Sequence, residues 1–398
     1  MSLAKQTFNH KALMWIATVI AFVQFTNALE YMVFNPIFVF MATDFAVPVS
    51  FSGYVSGMYT LGAVLSGIIA FYWIDHFNKK RFLIINMALL GLLTLLTTCT
   101  SSFSLLLALR FFAGLVGGTT MGVGISILIN NAPPNLRGKM LATVIASFSI
   151  VSIVGMPTIL FLCTHYGWHV ALWLISALCV LALPLIVSFI PKDQVSLDTF
   201  RAPPLDADTL LFASANALVQ FSPMLVIPIL APLMIQQLGA SQDLLPWLFF
   251  SGGVMGYLST KITGALTSRF SALLLATAST LVFIVSLLIP MLGYQHAALF
   301  ISLFLGASYS RLVSSSVVTM QFPNDRQRAG FSSLQTSIMY LLTTVAFFLS
   351  AFLLPAHGMT PQSVNTLLAV CAISAAGFPI LVIVLQKKLT KRFQLKEF

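Results

Sequence analysis

Glu30 is the residue whose chemistry most needs explaining. It stands in Gln24-Phe-Thr-Asn-Ala-Leu-Glu30-Tyr-Met-Val-Phe-Asn35-Pro36, between apolar stretches that run from Leu13 to Val23 and from Ile37 to Met41. A carboxylate so placed is no solvated surface group. It is either paired or held protonated, because a lone buried ion is costly. At about 100° per residue, Gln24, Asn27, Tyr31 and Asn35 share one stripe of a helix, with Glu30 at its edge. Such a stripe faces the interior of a helix bundle, where ionisable groups mark transport paths. It also fits a plainer role, in which the polar side chains tie one helix to its neighbours.

Three cations share the apolar stretches with this one acid. Arg110 lies near mid-membrane in the fourth stretch and cannot deprotonate, so it needs an anionic partner, water or substrate. Arg311 sits among hydroxyls in Ala-Ser-Tyr-Ser310-Arg311, which points to a wet cavity. Lys261 lies nearer a helix end, where a lysine snorkels to the interface. Three cations against one acid leave an excess of positive charge, so an anionic group on the substrate, held by Arg311 with help from Lys261, is one expectation. The other makes Glu30 a proton carrier and Arg110 its modulator. Burial and a neighbouring guanidinium act on a carboxyl in opposite senses, and a conformational cycle that alters both can load and release a proton.

The elements that position these residues are membrane helices. The chain has 398 residues, 58% hydrophobic and 8% charged, with mean hydropathy +0.96, whereas soluble domains carry about 25% charged residues. A span takes about 20 residues, and the apolar runs read as twelve: about 12–42, 51–74, 82–100, 103–129, 140–163, 168–190, 208–236, 245–266, 271–293, 297–321, 331–354 and 363–386. The first run is too long for the core of a cleavable leader and reads as a span. The net charge of +10 does not indicate nucleic acid. All but three of the 20 Lys and Arg lie at the termini or in alternate loops, which places both termini in the cytoplasm. The absence of Asn-X-Ser/Thr sequons is compatible with a bacterial inner membrane. Cys99, Cys163, Cys179 and Cys371 have neither metal-site nor disulfide spacing, so no metal and no cofactor is expected.

The polar stretch from Pro191 to Asp208 divides the chain into a six-span half (1–190), a cytoplasmic linker (191–207) and a second six-span half (208–398) with a basic tail. Pro134-Asn135 with Arg137 and Pro323-Asn324 with Arg326 share an offset of 189, which also carries Asn27 onto Asn216, with Gln220 one turn on. These residues join Gln24, Tyr31 and Asn35 as candidate substrate contacts. Paired halves of this kind point to alternating access with a site between them. Gly114, Gly118 and Gly122 form a ridge for close helix packing, as do Gly53 with Gly57, and Gly252 with Gly253 and Gly256.

Four motifs carry a family resemblance over nearly the whole chain. Gly67 through Asp75 to Lys79-Lys80-Arg81 resembles the signature loop of the major facilitator superfamily. Arg110-Phe-Phe-Ala-Gly114 is similar to its buried-arginine motif. Gly155-Met-Pro157, followed by Gly167-Trp168-His169, resembles the fifth helix of its drug:proton antiporter branch, nearer the sugar-efflux-like members, and Glu30-Tyr31 resembles the acidic-aromatic pair of their first helix. Three positions depart from the pattern: Asn78 stands where glycine is usual, Thr267-Ser268-Arg269 lacks an acid, and no double glycine follows Pro157. The resemblance implies a twelve-helix secondary transporter, a monomer that exports a small organic solute against protons. Asp75 with Lys79, Lys80 and Arg81 would then clasp the halves together. A facilitator or symporter importing an organic anion is the first alternative. A membrane enzyme or receptor is the second, although no HExxH, GxSxG or Walker motif appears and the loops are too short for a catalytic domain.

Overall fold

The computed structural model describes residues 10–73, 78–191, 206–323, 328–355 and 359–394. The described residues form helices that line up as twelve rods. The first three are single helices, α1 (His10–Met41), α2 (Ser52–Trp73) and α3 (Lys79–Thr97). The fourth breaks into α4 (Phe103–Gly117) and α5 (Thr120–Asn131). The fifth joins α6 (Pro134–Ile150) to α7 (Met156–Tyr166) through a π turn at Val151–Gly155, and α8 (Trp168–Phe189) follows. The seventh is α9 (Ala207–Val226), a 3-10 turn at Ile227–Ile229, and α10 (Leu230–Gln236). The rest are α11 (Leu245–Leu266), α12 (Ala272–Met291), α13 (Ala297–Thr319), α14 (Arg328–Leu353) and α15 (Pro361–Gln394).

Backbone chemistry explains the breaks that an apolar count misses. Pro157 has no N–H for the preceding turn, and the ladder there loosens into the π turn. Pro223, Pro228 and Pro232 interrupt the seventh rod in the same way. Side chains cap other helix starts. Asn78, at the position where the family pattern has glycine, accepts the Arg81 N–H at 2.9 Å and starts α3. Asp206 accepts from the Thr209 N–H at 2.9 Å to start α9. That bond, with the Thr209 hydroxyl, holds the Asp206 carboxyl below the usual carboxylate range.

Among the described residues, ten of the rods are individually long and apolar enough to cross a bilayer. The α11 helix is not among them, because glycines, hydroxyls and Lys261 dilute its apolar content. It spends those glycines on close approach. A Cβ at Gly253 would meet the Ser152 backbone of the π turn at 2.6 Å, and one at Gly256 would meet the Tyr309 ring.

Three apolar cores tie the rods together. One joins both halves, running from Leu29 to Phe45 of the first rod through Leu225 to Leu245 and on to Val364 and Ala375. The second holds only the other ends of the first-half rods, from Leu13 to Val23 and from Cys179 to Ile190, with Tyr340 packed against it. The third holds the corresponding ends of the second half, including Phe212, Phe331 and Phe378. The halves thus share a core at the end away from the termini and have separate cores at the terminal end. The shared end is pinned by Ser52 Oγ donating to Pro228 O at 2.6 Å, and by Gly53, whose bare Cα lets Phe347 and Ala351 of α14 approach.

Candidate functional site

Glu30 and Arg110 meet. The α1 carboxylate and the α4 guanidinium form a direct ion pair, 0% and 1% exposed. Such a pair stands only if its remaining polarity is sheltered, because two charges taken from water lose several kcal/mol of solvation each, on the order of what their attraction restores. Two aromatic rings supply part of that shelter. The guanidinium lies 3.7 Å from the centre of the Phe34 ring and 4.7 Å from that of Tyr59, cation–π placements worth roughly 0.5–2 kcal/mol each. Among the described residues, Glu30 Oε2 and Arg110 Nε and Nη2 have no hydrogen-bond partner, and the Thr94 hydroxyl of α3 donates to Leu90 O at 2.8 Å.

The glycine ridge makes this geometry possible. A Cβ at Gly114 would fall on the Tyr59 backbone, and one at Gly118 would strike Ala63 and Ser66. Gly117, off that ridge, would collide with the Tyr59 hydroxyl. The α2 and α4 helices therefore touch backbone to backbone beside Arg110. Gly122 corrects the expected ridge. It is exposed, with nothing within 4 Å of a Cβ, because the rod breaks at Gly118 and α5 turns that position away. Gly155 packs on Leu29 and Phe25 of α1, and Pro157 opens α7.

A row of tyrosines leads from the ion pair to the other half. Tyr59 stacks on Tyr31 at 5.0 Å, and Tyr31 meets Tyr340 of α14 edge to face at 6.2 Å. Nearby, Thr344 Oγ1 donates to Thr60 Oγ1 at 2.8 Å across the halves. Asn35 accepts from Ser56 Oγ at 2.6 Å, Gln24 is buried, and Asn27 is buried with its Oδ1 unpartnered. In the second half Asn216 donates to Ser316 Oγ at 3.1 Å and leaves its own Oδ1 unpartnered, as Gln220 leaves its Oε1. Asn27 turns from α1 toward Gly117 of α4, and Asn216 turns from α9 toward α13. Each asparagine thus turns from the first rod of its half toward the fourth, at different levels along it.

The other expected residues lie elsewhere. Arg311 is fully buried inside the second half, where it donates to Ser222 Oγ at 2.8 Å and Ala375 O at 3.4 Å, between the rings of Phe283 and Phe378. The hydroxyl, the carbonyl and the two rings enclose it away from the surface, and its Nε has no partner among the described residues. Lys261 is exposed, with its ammonium 5.7 Å from the Tyr257 ring. The two cations face different surroundings and share no partner in the described residues. Asp75 lies outside the described residues. Lys79 is buried, Lys80 donates to Val187 O at 2.8 Å and Ile190 O at 2.6 Å, and Arg81 is exposed. Sequence reasoning missed Tyr59, Phe34 and Tyr340. Only the aromatic neighbour of Glu30, Tyr31, carried a local signal.

Comparison with known proteins supplies the context for this geometry. The Major Facilitator Superfamily profile matches residues 20–211. The chain is 21% identical to a chloramphenicol resistance protein of Streptomyces lividans over 70% of its length and 73% of that protein's. It is 22% identical to the purine ribonucleoside efflux pump NepI of Escherichia coli over 80% of this chain and 82% of that one. Its fold is similar to the solved structure of the nucleoside transporter NupG, with a TM-score of 0.73 and 12% identity over 94% of this chain and 99% of that one.

Proposed function

Since the chain belongs to the major facilitator superfamily, we propose that it exports a small organic solute across a bacterial inner membrane in exchange for protons. The observation that carries this reading is the buried Glu30–Arg110 pair, set one aromatic layer from the contact between the halves. The purine ribonucleoside efflux pump is described as acting outward, which favours export.

The cycle follows from the two kinds of core. With both termini in the cytoplasm, the shared core seals the outer face and the separate cores leave the inner ends free to part. A proton accepted by Glu30 cancels its charge and releases Arg110 from its partner. The guanidinium then holds only its aromatic contacts, and the α1–α4–α2 packing is free to adjust. Because Tyr59 touches Arg110 and Tyr31 touches Tyr340, that adjustment reaches the half–half contact. Asp75 and the Lys79–Arg81 cluster act at the inner face as the clasp that closes it in the opposite state. The protein works as a monomer, since one chain supplies both halves and the site between them.

Reconstitution tests the reading. Vesicles holding the purified protein should accumulate substrate on imposition of a pH gradient without ATP, and Glu30→Gln should abolish that accumulation while leaving downhill exchange. Equal accumulation by the variant would remove Glu30 from the coupling step. A cytoplasm-dependent reporter fused after Arg201 should be active and one inserted at Gly239 silent.

A further inference from the structure

Tyr31 and Tyr340 are partly exposed although both lie in the interior of long membrane helices. They belong to different halves and touch each other. Their contact, and the surface they share, therefore lie between the halves. Tyr59, stacked behind Tyr31, is buried at 1%. The surface offered there is aromatic, because Phe34 and Tyr59 cover Arg110 and Arg110 engages Glu30. Neither charge of the pair is exposed there, since Glu30 and Arg110 are 0% and 1% accessible.

Among the described residues beside these rings, Glu30 Oε2 and Arg110 Nε and Nη2 lack hydrogen-bond partners within the ion pair, and outside the pair Asn27 Oδ1 lacks one. Asn27 is one helical turn before Tyr31 and on the same face of α1. It is 5% exposed, and its Oδ1 has no hydrogen-bond partner. That oxygen lies 2.8 Å from where Gly117 would carry a Cβ, and the Tyr59 hydroxyl also reaches that spot. Any side chain at position 117 would fill it. A buried carbonyl oxygen without a donor costs about 1–3 kcal/mol, a cost that a bound molecule with an N–H or O–H would remove.

We propose that Tyr31 and Tyr340 hold a planar, uncharged aromatic ring of the solute and that Asn27 Oδ1 accepts a hydrogen bond from an N–H or O–H on it. This rests on the reading of the chain as a solute transporter and names the chemical class carried. The ring replaces the edge-to-face contact of the two tyrosines with faces and edges of its own, the geometries aromatic pairs favour. Occupancy then bridges the halves through the ring, one stacking layer from the ion pair. Arg311 takes no part, since it is enclosed among the helices of its own half.

Matched probes test this on the full-length protein in lipid nanodiscs. Benzamide is compared with cyclohexanecarboxamide, which has the same donor on a saturated ring, and inosine with ribose, by thermal-shift titration and competition. At least one aromatic member should stabilise the protein and its saturated partner should not. Tyr340→Ala should weaken that binding about tenfold, and Tyr340→Phe should retain it. Asn27→Ala should weaken it too, and more for benzamide than for N,N-dimethylbenzamide, which has no donor. The proposal is overturned if saturated partners bind equally well, if no aromatic member binds, or if binding survives both Tyr340→Ala and Tyr31→Ala. Circular dichroism and the unliganded melting temperature identify a variant that fails to fold, and Tyr31→Leu then replaces Tyr31→Ala. Ring-dependent binding without uptake into vesicles would sink the transport reading and leave the clamp. Uptake of a solute whose binding ignores both tyrosines would sink the clamp alone.

Discussion

Arg110 and Arg311 are both fully buried guanidiniums between two aromatic rings, one in each half, yet they are built for different work. Arg110 faces a carboxylate and, through Tyr59 and Tyr31, the boundary between the halves. Arg311 has a hydroxyl and a carbonyl instead, from α9 and α15, and lies within its own half. Ser222 is the link in that second arrangement. Its hydroxyl accepts from Arg311, its carbonyl accepts from Cys371 Sγ at 3.1 Å, and Pro223 follows it where the seventh rod begins to break. The first arginine can lose its partner to a proton, whereas the second is fastened to a neutral hydroxyl and a neutral carbonyl. In the proposed cycle, burial of a cation in the membrane is no sufficient mark of coupling, and a titratable partner near the contact between the halves is what sets Arg110 apart.

The largest expected effect comes from separating the two. Glu30→Gln should reduce gradient-driven uptake by at least a hundredfold, while Arg311→Met leaves the coupling ratio of the folded fraction unchanged. Measuring proton flux against solute flux in vesicles decides it. If Arg311→Met uncouples transport, the contrast between the two arginines collapses.

A smaller effect sharpens the same contrast in stability. Breaking a buried pair from one side leaves an unpaired charge and costs about 3–5 kcal/mol. Arg110→Met and Glu30→Leu should therefore each lower thermal stability markedly, and the double variant should recover much of the loss. Arg311→Met should behave otherwise, since its partners are a hydroxyl and a carbonyl and no single partner change restores it. A double variant as unstable as the sum of the two singles would mean that the Glu30–Arg110 pair is not a unit.

The sequence made one side of this comparison readable. Glu30 announced itself as an acid among apolar residues, and Gly114 and Gly118 announced a close contact in α4. The partner was not readable, because Arg110 lies 80 positions away and no local pattern says which two helices meet. Arg311 misled for a physical reason. The hydroxyls around it suggested water, but Ser310 bonds to Thr263 and Ser314 bonds back to the Ser310 carbonyl. Serines in apolar helices often satisfy themselves in this way. The real partners come from α9, α12 and α15, brought together only by the fold. Gly122 failed because a break in the rod resets the helical register, and spacing alone does not register a break.

The next effect separates glycines that serve the Arg110 site from one that does not. Gly114→Ala should destabilise the protein by about 2 kcal/mol or more, because the new methyl falls on the Tyr59 backbone, which cannot move aside without lifting the ring from Arg110. Gly122→Ala meets nothing and should be neutral or slightly stabilising, as alanine favours helix over glycine. Similar losses from both would deny the backbone contact between α2 and α4.

The smallest effect tests the Arg311 side. Ser222→Ala removes the hydroxyl that accepts from Arg311 Nη1 at 2.8 Å and leaves the backbone carbonyl that Cys371 uses. An unsatisfied donor on a buried cation costs about 1–3 kcal/mol. The Phe283 and Phe378 faces still hold the guanidinium, so the loss should fall at the low end of that range. Ser222→Thr keeps the hydroxyl and should restore most of it. Substrate affinity and the proton-to-solute ratio should match those of the unmodified protein, because nothing in this set touches the tyrosines or Glu30. A changed ratio in Ser222→Ala, with stability intact, would show that the Arg311 cluster takes part in coupling after all, and the two arginines would then differ in degree and not in kind.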